Sequence, residues 1–302
     1  MPVAAAIDGP RQIRVVDADL VDPSPSGGII EVYHQRYLLR LIVGRQLAQQ
    51  YAASLLGLLW SYIQPGMRFG IYFFVFGVVL TGHKTTENFA LHLFSGMVFV
   101  SYFSDSWSAG TKSVRSNRSL LLKMRMPREI FPIASIVVAL YHAGPQIIFL
   151  IICCAIVGWN FSFAAIGAAL LGLAILVVFA MAMALFFSAL NVFYKDFQNI
   201  VTTFTQFLHF VVPMMYAYSF IAKLADSHPI VYQLYMANPL VEAVLLMQRA
   251  FWYPTLNNTK LSAEFPADMY ERGFIMLALS LVLLYLAQKF FTRLESKFPE
   301  RL

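Results

Sequence analysis

Charge is scarce in this chain of 302 residues. Asp, Glu, Lys and Arg make up 13% of it, about half the share of roughly 25% usual in soluble domains. A water-soluble globular body is thereby excluded. Cysteine is nearly missing as well. Cys153 and Cys154 are adjacent in an apolar stretch, so neither a disulfide framework nor a thiolate metal site is available. No G-x-x-x-x-G-K-[ST] phosphate loop, no H-E-x-x-H and no G-x-S-x-G occurs, so the sequence offers neither a site for ATP nor a zinc-protease or serine-hydrolase centre. His34, His83, His92, His142, His209 and His228 fall on separate segments rather than at metal-ligand spacing. His142 and His209 lie in or near apolar runs, where a polar group is either functional or a hydrogen-bonded packing group. The chain reads as a non-enzyme with no cofactor and no metal of its own.

What the chain has instead is apolar length. Hydrophobic residues make up 59% of it and the mean hydropathy is +0.65. Six runs, at about 56–82, 89–111, 130–157, 163–193, 200–222 and 273–291, are each long enough for a helix to cross the ~30 Å hydrocarbon core at 1.5 Å per residue. Lys and Arg crowd into alternate connections: Arg11, Arg14, Arg36, Arg40 and Arg45; then Lys112, Arg115, Arg118, Lys123, Arg125 and Arg128; then Lys195; then Lys289, Arg293, Lys297 and Arg301. The other connections hold Lys84, Lys223, Arg249, Lys260 and Arg272. The positive-inside rule then puts both termini in the cytoplasm, and it accounts for the net charge of +6 without nucleic acid.

The expected fold is an all-α integral membrane protein with six transmembrane helices. Residues 1–30, rich in Asp and Pro and without an apolar leader core, read as a disordered cytoplasmic tail, and 296–302 as a second short tail. Residues 31–54 mix Tyr37, Leu38, Leu41, Ile42 and Leu47 with Arg36, Arg40 and Arg45, the pattern of an amphipathic helix lying in the membrane interface. Pro65 is expected to kink or break the first span. The loop at 112–132 suggests a short helix parallel to the membrane. The outer segment 223–272 suggests a re-entrant hairpin or a pair of helices dipping into the outer leaflet.

Two charged residues fall inside spans at similar depth, Arg68 and Asp105. Charge is expensive in lipid and tends to pair or to line a wet cavity, so either an Arg68–Asp105 contact near a channel entrance or snorkelling of Arg68 to the interface is expected. Aromatics make up 15% of the chain. Phe69, Tyr72, Phe73 and Phe76 recur at helical spacing in the first span, Phe99, Tyr102, Phe103 and Trp107 in the second, and Phe204, Phe207 and Phe210 in the fifth. Such rings either pack helices or line a tunnel whose faces stack on sugar C–H groups. For the tunnel the candidates are Phe69, Tyr72, Phe73, Phe76, Phe99, Tyr102 and Phe103.

Four landmarks in order resemble the permease subunit of polysaccharide-exporting ABC transporters of the ABC-2 type: Gly57-x-x-Trp60-x-x-x-Gln64-Pro65 after the interfacial helix; Asn117, Leu121, Lys123, Pro127, Arg128 and Pro132; Asn191, Tyr194, Lys195 and Asp196; and Asn238-Pro239-Leu240 with Arg249 downstream. The second cytoplasmic loop departs from the family's usual Arg-Asp by carrying Lys195-Asp196. The resemblance covers about residues 31–295 and is strongest to mycobacterial-type exporters of lipid-linked galactan. It implies a plasma-membrane subunit working as a homodimer with two copies of a separate ATPase that binds ATP and Mg. It also implies ATPase coupling at Asn117, Lys123, Arg125, Arg128, Tyr194, Lys195 and Asp196, and attraction of a lipid diphosphate by Arg40, Arg45 and Arg68, with Asp105 at the entrance. On the same grounds the 223–272 segment would form outer gate helices. Competing readings are an ABC-2 permease for a drug or lipid, a membrane glycosyl or acyl transferase, and a channel or scaffold.

Overall fold

A computed structural model of the chain describes residues 28–51, 57–82, 86–124, 126–160, 162–256 and 265–301. The expected N-terminal tail, apart from its last three residues, and Arg125 lie outside the described residues. Those described form helices joined by turns, with no strand among them.

The segment expected to lie in the interface is two helices, α1 (Gly28–His34) and α2 (Arg36–Tyr51). After a 3-10 turn at Gly57–Leu59 comes α3 (Trp60–Tyr72), which runs through Pro65 without a break. The departure from α geometry comes later, as a π-helix at Phe73–Val79. There Gly77 lies against the Phe89 ring, which a Cβ would approach to 3.1 Å, so the widened turn and the missing side chain together admit a neighbouring aromatic.

The central helix is α4 (Phe89–Ser116), followed by the short α5 (Arg118–Lys123). The next two spans match their sequence limits: α6 (Ile130–Val157) stops at Gly158, whose φ of 104° suits glycine, and α7 (Phe163–Phe193) starts at Ser162, whose side chain accepts from the Ala165 N–H.

The expected fifth span at 200–222 is not one helix. α8 (Asp196–Val211) ends before Pro213, and α9 (Tyr218–Ser227) begins after a break. Proline has no N–H and disfavours helical backbone in the residue before it; Val212 is accordingly extended, at φ −86°, ψ 142°. Then come α10 (Pro229–Met236) and α11 (Pro239–Phe251), bent by 76° from one another, α12 (Met269–Glu295) and the terminal turn α13 (Phe298–Arg301).

Among the described residues, α6, α7 and α12 are each long and apolar enough to cross a membrane, and the bent α10–α11 unit is a fourth candidate. α4 packs between α6, α7, α8 and α11. Small residues permit the close approach: a Cβ on Gly110 would lie 2.5 Å from the Ala184 Cβ, and one on Gly96 2.4 Å from the Met214 Cβ. A second apolar cluster gathers Val32, Ile42, Val114, Leu121, Phe131, Val192, Phe291 and Phe298. It brings α1, α2, the ends of α4, α7 and α12, and the start of α6 to one end of the bundle. Lys112, Lys123, Lys195 and Arg301 sit on these segments. That end is the basic end.

Candidate functional site

Polar side chains gather on the open flank where α3, α4 and α8 meet, with Arg68, Asp105 and Gln206 exposed and Ser104, Thr205 and His209 buried. A cavity of about 280 Å³ there is lined by Arg68, Tyr72, Ser104, Asp105, Ser108, Thr205, Gln206, His209 and Phe210. Arg68 Nη1 donates to Ser101 Oγ at 3.4 Å and lies 3.3 Å from His209 Nε2. His209 Nδ1 faces the Thr205 carbonyl at 3.2 Å. A carbonyl only accepts, so Nδ1 carries the ring proton and Nε2 offers its lone pair to Arg68. The expected Arg68–Asp105 ion pair is not formed; the ion pair among the described residues is Arg272–Asp268, at 2.7 Å. Arg68 reaches instead to Ser101, one turn along α4 from Asp105. The two charged groups share the cavity without touching.

Seven aromatics expected at a tunnel wall divide by helix. Phe69, Tyr72, Phe73 and Phe76 are half-buried where α3 and its π-turn lean on the core. Phe69 stacks on Phe73 at 5.9 Å and meets the edge of Phe94 at 5.2 Å. Phe99, Tyr102 and Phe103 are at most 2% exposed: Phe99 stacks on Phe251 and Phe103 on Phe179. These three pack the bundle and face no open passage, a correction to their reading as wall residues. One face of α8 carries open aromatics: Val201, Thr205 and His209 turn inward at helical spacing while Phe204, Phe207 and Phe210 stand exposed among Thr202, Thr203 and Gln206. The sequence carried that signal as the inward i, i+4 series, which fixes the outward face.

The residues expected to couple to an ATPase also divide. Lys123, Tyr194, Lys195 and Asp196 are exposed at the basic end, with Leu122 and Met124 beside them. Asn117 is half-buried and caps its own helix by donating to the Ser113 carbonyl at 2.9 Å. Arg128 is buried, and Nη1 donates to the Glu295 carbonyl while the guanidinium lies over the Phe298 ring at 5.8 Å. Burial pulls this group below its ordinary range, against the pull of the Glu295 and Glu129 carboxylates. Beside it Glu129 Oε1 accepts from Gln288 Nε2 at 2.7 Å. Arg128 therefore ties the loop to the end of α12 and is not a surface handle, a second correction. Arg115 and Asn191, on α4 and α7, are cross-linked nearby: Arg115 donates to the Asn191 carbonyl at 3.3 Å, and Asn191 to the Thr111 carbonyl at 3.1 Å. Arg40 and Arg45 are exposed on α2 and do not line the Arg68 cavity.

At the opposite end the turns are sewn together by indole and amide groups. Trp252 Nε1 donates to the Glu87 carbonyl at 2.8 Å, and Asn88 Nδ2 to the Thr255 carbonyl at 2.9 Å. Arg249 lies on the Tyr253 ring at 3.6 Å, a cation held by an aromatic face. Among the described residues no group of His, Cys, Asp or Glu is arranged to hold a metal ion.

A family model described as "ABC-2 type transporter" matches residues 37–252. Over 276 residues the chain is 26% identical to the "O-antigen export system permease protein RfbA" of Myxococcus xanthus, covering 89% of this chain and 97% of that protein. Two proteins of the same name from Klebsiella pneumoniae are 25% and 26% identical over 271 residues, covering 87% of this chain and 94% of each.

Proposed function

Because the chain belongs to the ABC-2 type transporter family, we propose that it is the membrane subunit of an ATP-driven exporter of a lipid-linked polysaccharide, a polyprenyl-diphosphate-linked galactan. The observation that carries this reading is the outward face of α8. Lipid would favour an apolar face and water a polar one, yet here Phe204, Phe207 and Phe210 alternate with Thr202, Thr203 and Gln206. Rings stack on the C–H faces of sugars, and hydroxyls and amides exchange hydrogen bonds with their hydroxyls. A sliding glycan chain needs both. Relatives named for O-antigen export support the same substrate class.

In this reading two copies of the chain enclose the passage between their α3 and α8 faces. The basic end lies in the cytoplasm and both termini with it. Lys123, Arg125, Tyr194, Lys195 and Asp196, with Asn117 fixing the turn between α4 and α5, meet a separate ATPase subunit that binds ATP and Mg. Asp196 begins α8, so a push on the Tyr194–Asp196 turn is delivered along the helix that carries the sugar-facing rings. Arg68, held by Ser101 and His209, is the cation that meets the diphosphate.

The test is a mild-detergent pull-down of the tagged chain from native membranes, with co-purifying proteins identified and ATPase activity assayed. A stoichiometric ATPase is expected, together with glycan-lipid stalled on the cytoplasmic side of cells depleted of the chain. Intact chain recovered without an ATPase would overturn the proposal.

A further inference from the structure

A roomier cavity lies on the other flank of α3 from the Arg68 site. It encloses about 570 Å³ between α2, α3, α4 and α6, within the range of ordinary ligand pockets. Gln50, Trp60, Gln64, Asp105, His142 and Gln146 supply its polar and aromatic lining. We infer that this cavity is a loading site for an uncharged sugar unit of the glycan, a proposal that rests on the export reading above.

The wall is built before any ligand arrives. His142, on α6, lies 3.0 Å from Gln50 Oε1 through Nε2 and 3.3 Å from Ser61 Oγ through Nδ1. One imidazole thus joins the interfacial helix, the first span and the third. Gln146, one turn further along α6, donates from Nε2 to the His142 carbonyl at 3.2 Å. Its Oε1 is buried and without a hydrogen-bond partner. A buried acceptor left unmatched is costly, and native structures keep few of them. A turn of the Gln146 amide toward the cavity would let a ligand hydroxyl satisfy it.

The chemistry of the lining selects among ligands. The three carboxamides of Gln50, Gln64 and Gln146 present donor and acceptor side by side, and a sugar hydroxyl both donates and accepts. Asp105 adds an acceptor. Trp60 is 43% exposed and offers an apolar face to the ring. A diphosphate would call for clustered guanidinium or ammonium groups, whereas the charged lining here is one carboxylate, Asp105, and one ammonium, Lys112. Asp105 and Ser108 line both this cavity and the Arg68 cavity. The two cavities therefore share a wall, and a sugar in this one lies beside the cavity where Arg68 would receive its diphosphate.

The decisive experiment uses the chain in nanodiscs with its co-purifying ATPase. One radiolabelled probe is the glycan released by mild acid from the lipid-linked pool of the same membranes, which has no diphosphate. The other is farnesyl diphosphate, which has no sugar. The released glycan is expected to bind, and Gln146→Leu and Gln64→Leu each to weaken it at least tenfold while farnesyl diphosphate binding is unchanged. The two variants sit on different helices, so misfolding of one leaves the other to decide. Wild-type protein that holds farnesyl diphosphate but not the glycan, or equal glycan binding in wild type and both variants, overturns the proposal. Depletion separates the two claims. Glycan that still reaches the outer face without the chain overturns export itself; export lost on depletion but normal in both variants overturns only the role of the cavity.

Discussion

The helices α3 and α4 lie side by side and carry similar loads of aromatic residues, yet they occupy opposite environments. Phe99, Tyr102, Phe103 and Trp107 of α4 are buried, and so are its serines at 95, 101, 104 and 106. No residue of α3 is buried, and Met67 and Ile71 stand open. A helix walled in by protein needs no lipid-facing apolar surface, and small polar residues let its neighbours come close. By mean hydropathy α6, α7 and α12, which face outward over much of their length, pass as membrane spans, whereas the central helix, marked in the sequence by its apolar run at 89–111, falls short.

The strongest way to break this contrast is to truncate one ring on each side of it. Phe103→Ala removes a ring that is 1% exposed and stacked on Phe179; a loss of about 3–5 kcal/mol is expected from cavity formation, visible as a lower midpoint in thermal unfolding in detergent. Phe207→Ala, on the open face of α8, is expected to leave that midpoint in place and to slow glycan export. Equal stability loss in both would dissolve the distinction between packing and open aromatics.

Charge gives the second test. Arg128→Ala is expected to cost roughly 3 kcal/mol, because it leaves buried acceptors at Glu295 unmatched. Lys195→Ala, at the exposed turn, should stay within about 0.5 kcal/mol while uncoupling ATP hydrolysis from export. An Arg128→Ala protein of wild-type stability would return Arg128 to the docking surface.

Glycine sharpens the comparison at a finer scale. Gly110→Ala places a methyl 2.5 Å from the Ala184 Cβ and is expected to cost about 1–3 kcal/mol by overpacking. Gly70→Ala on α3 meets nothing within 4 Å and should be neutral or slightly stabilising. The smallest effect concerns Arg68 and His209. Each alanine variant should slow export, and the double variant should be no slower than the worse single one, since the two groups act through one contact. Additive losses in a transport assay would mean that they act separately.

The limits of α6 and α7 were legible as the ends of their apolar runs, and Gly158 and Ser162 stand where one run stops and the next begins. The break in the fifth apolar run was not read, although its cause was in view. Hydropathy counts side chains, and what Pro213 lacks is a backbone N–H. The placement of Phe99, Tyr102 and Phe103 was ambiguous for another reason: inside a membrane bundle the same helical spacing marks a ring that packs and a ring that faces a passage. Arg128 was misread because it is a basic residue in a basic loop, and nothing local announces the Glu295 carbonyl, which is 167 positions away. The open face of α8 was within reach, since Val201, Thr205 and His209 define its inward side.

The stop at Val212 has a mechanical consequence. A helix of 16 residues is about 24 Å long, short of the ~30 Å core, and at its end the Tyr216 hydroxyl reaches the Phe210 and Val211 carbonyls at 3.3 and 2.9 Å. Gln248, from α11, donates to the Pro213 carbonyl at 2.9 Å, and Met214 fills the space that Gly96 leaves open. The ladder of α8 ends at the Val212 N–H, bonded to the Leu208 carbonyl, and no rung carries on into α9. A rotation of α8 about this point has no helical bond to break, so the bundle beyond the break can stay still while the basic end swings like a lever on a fixed pin.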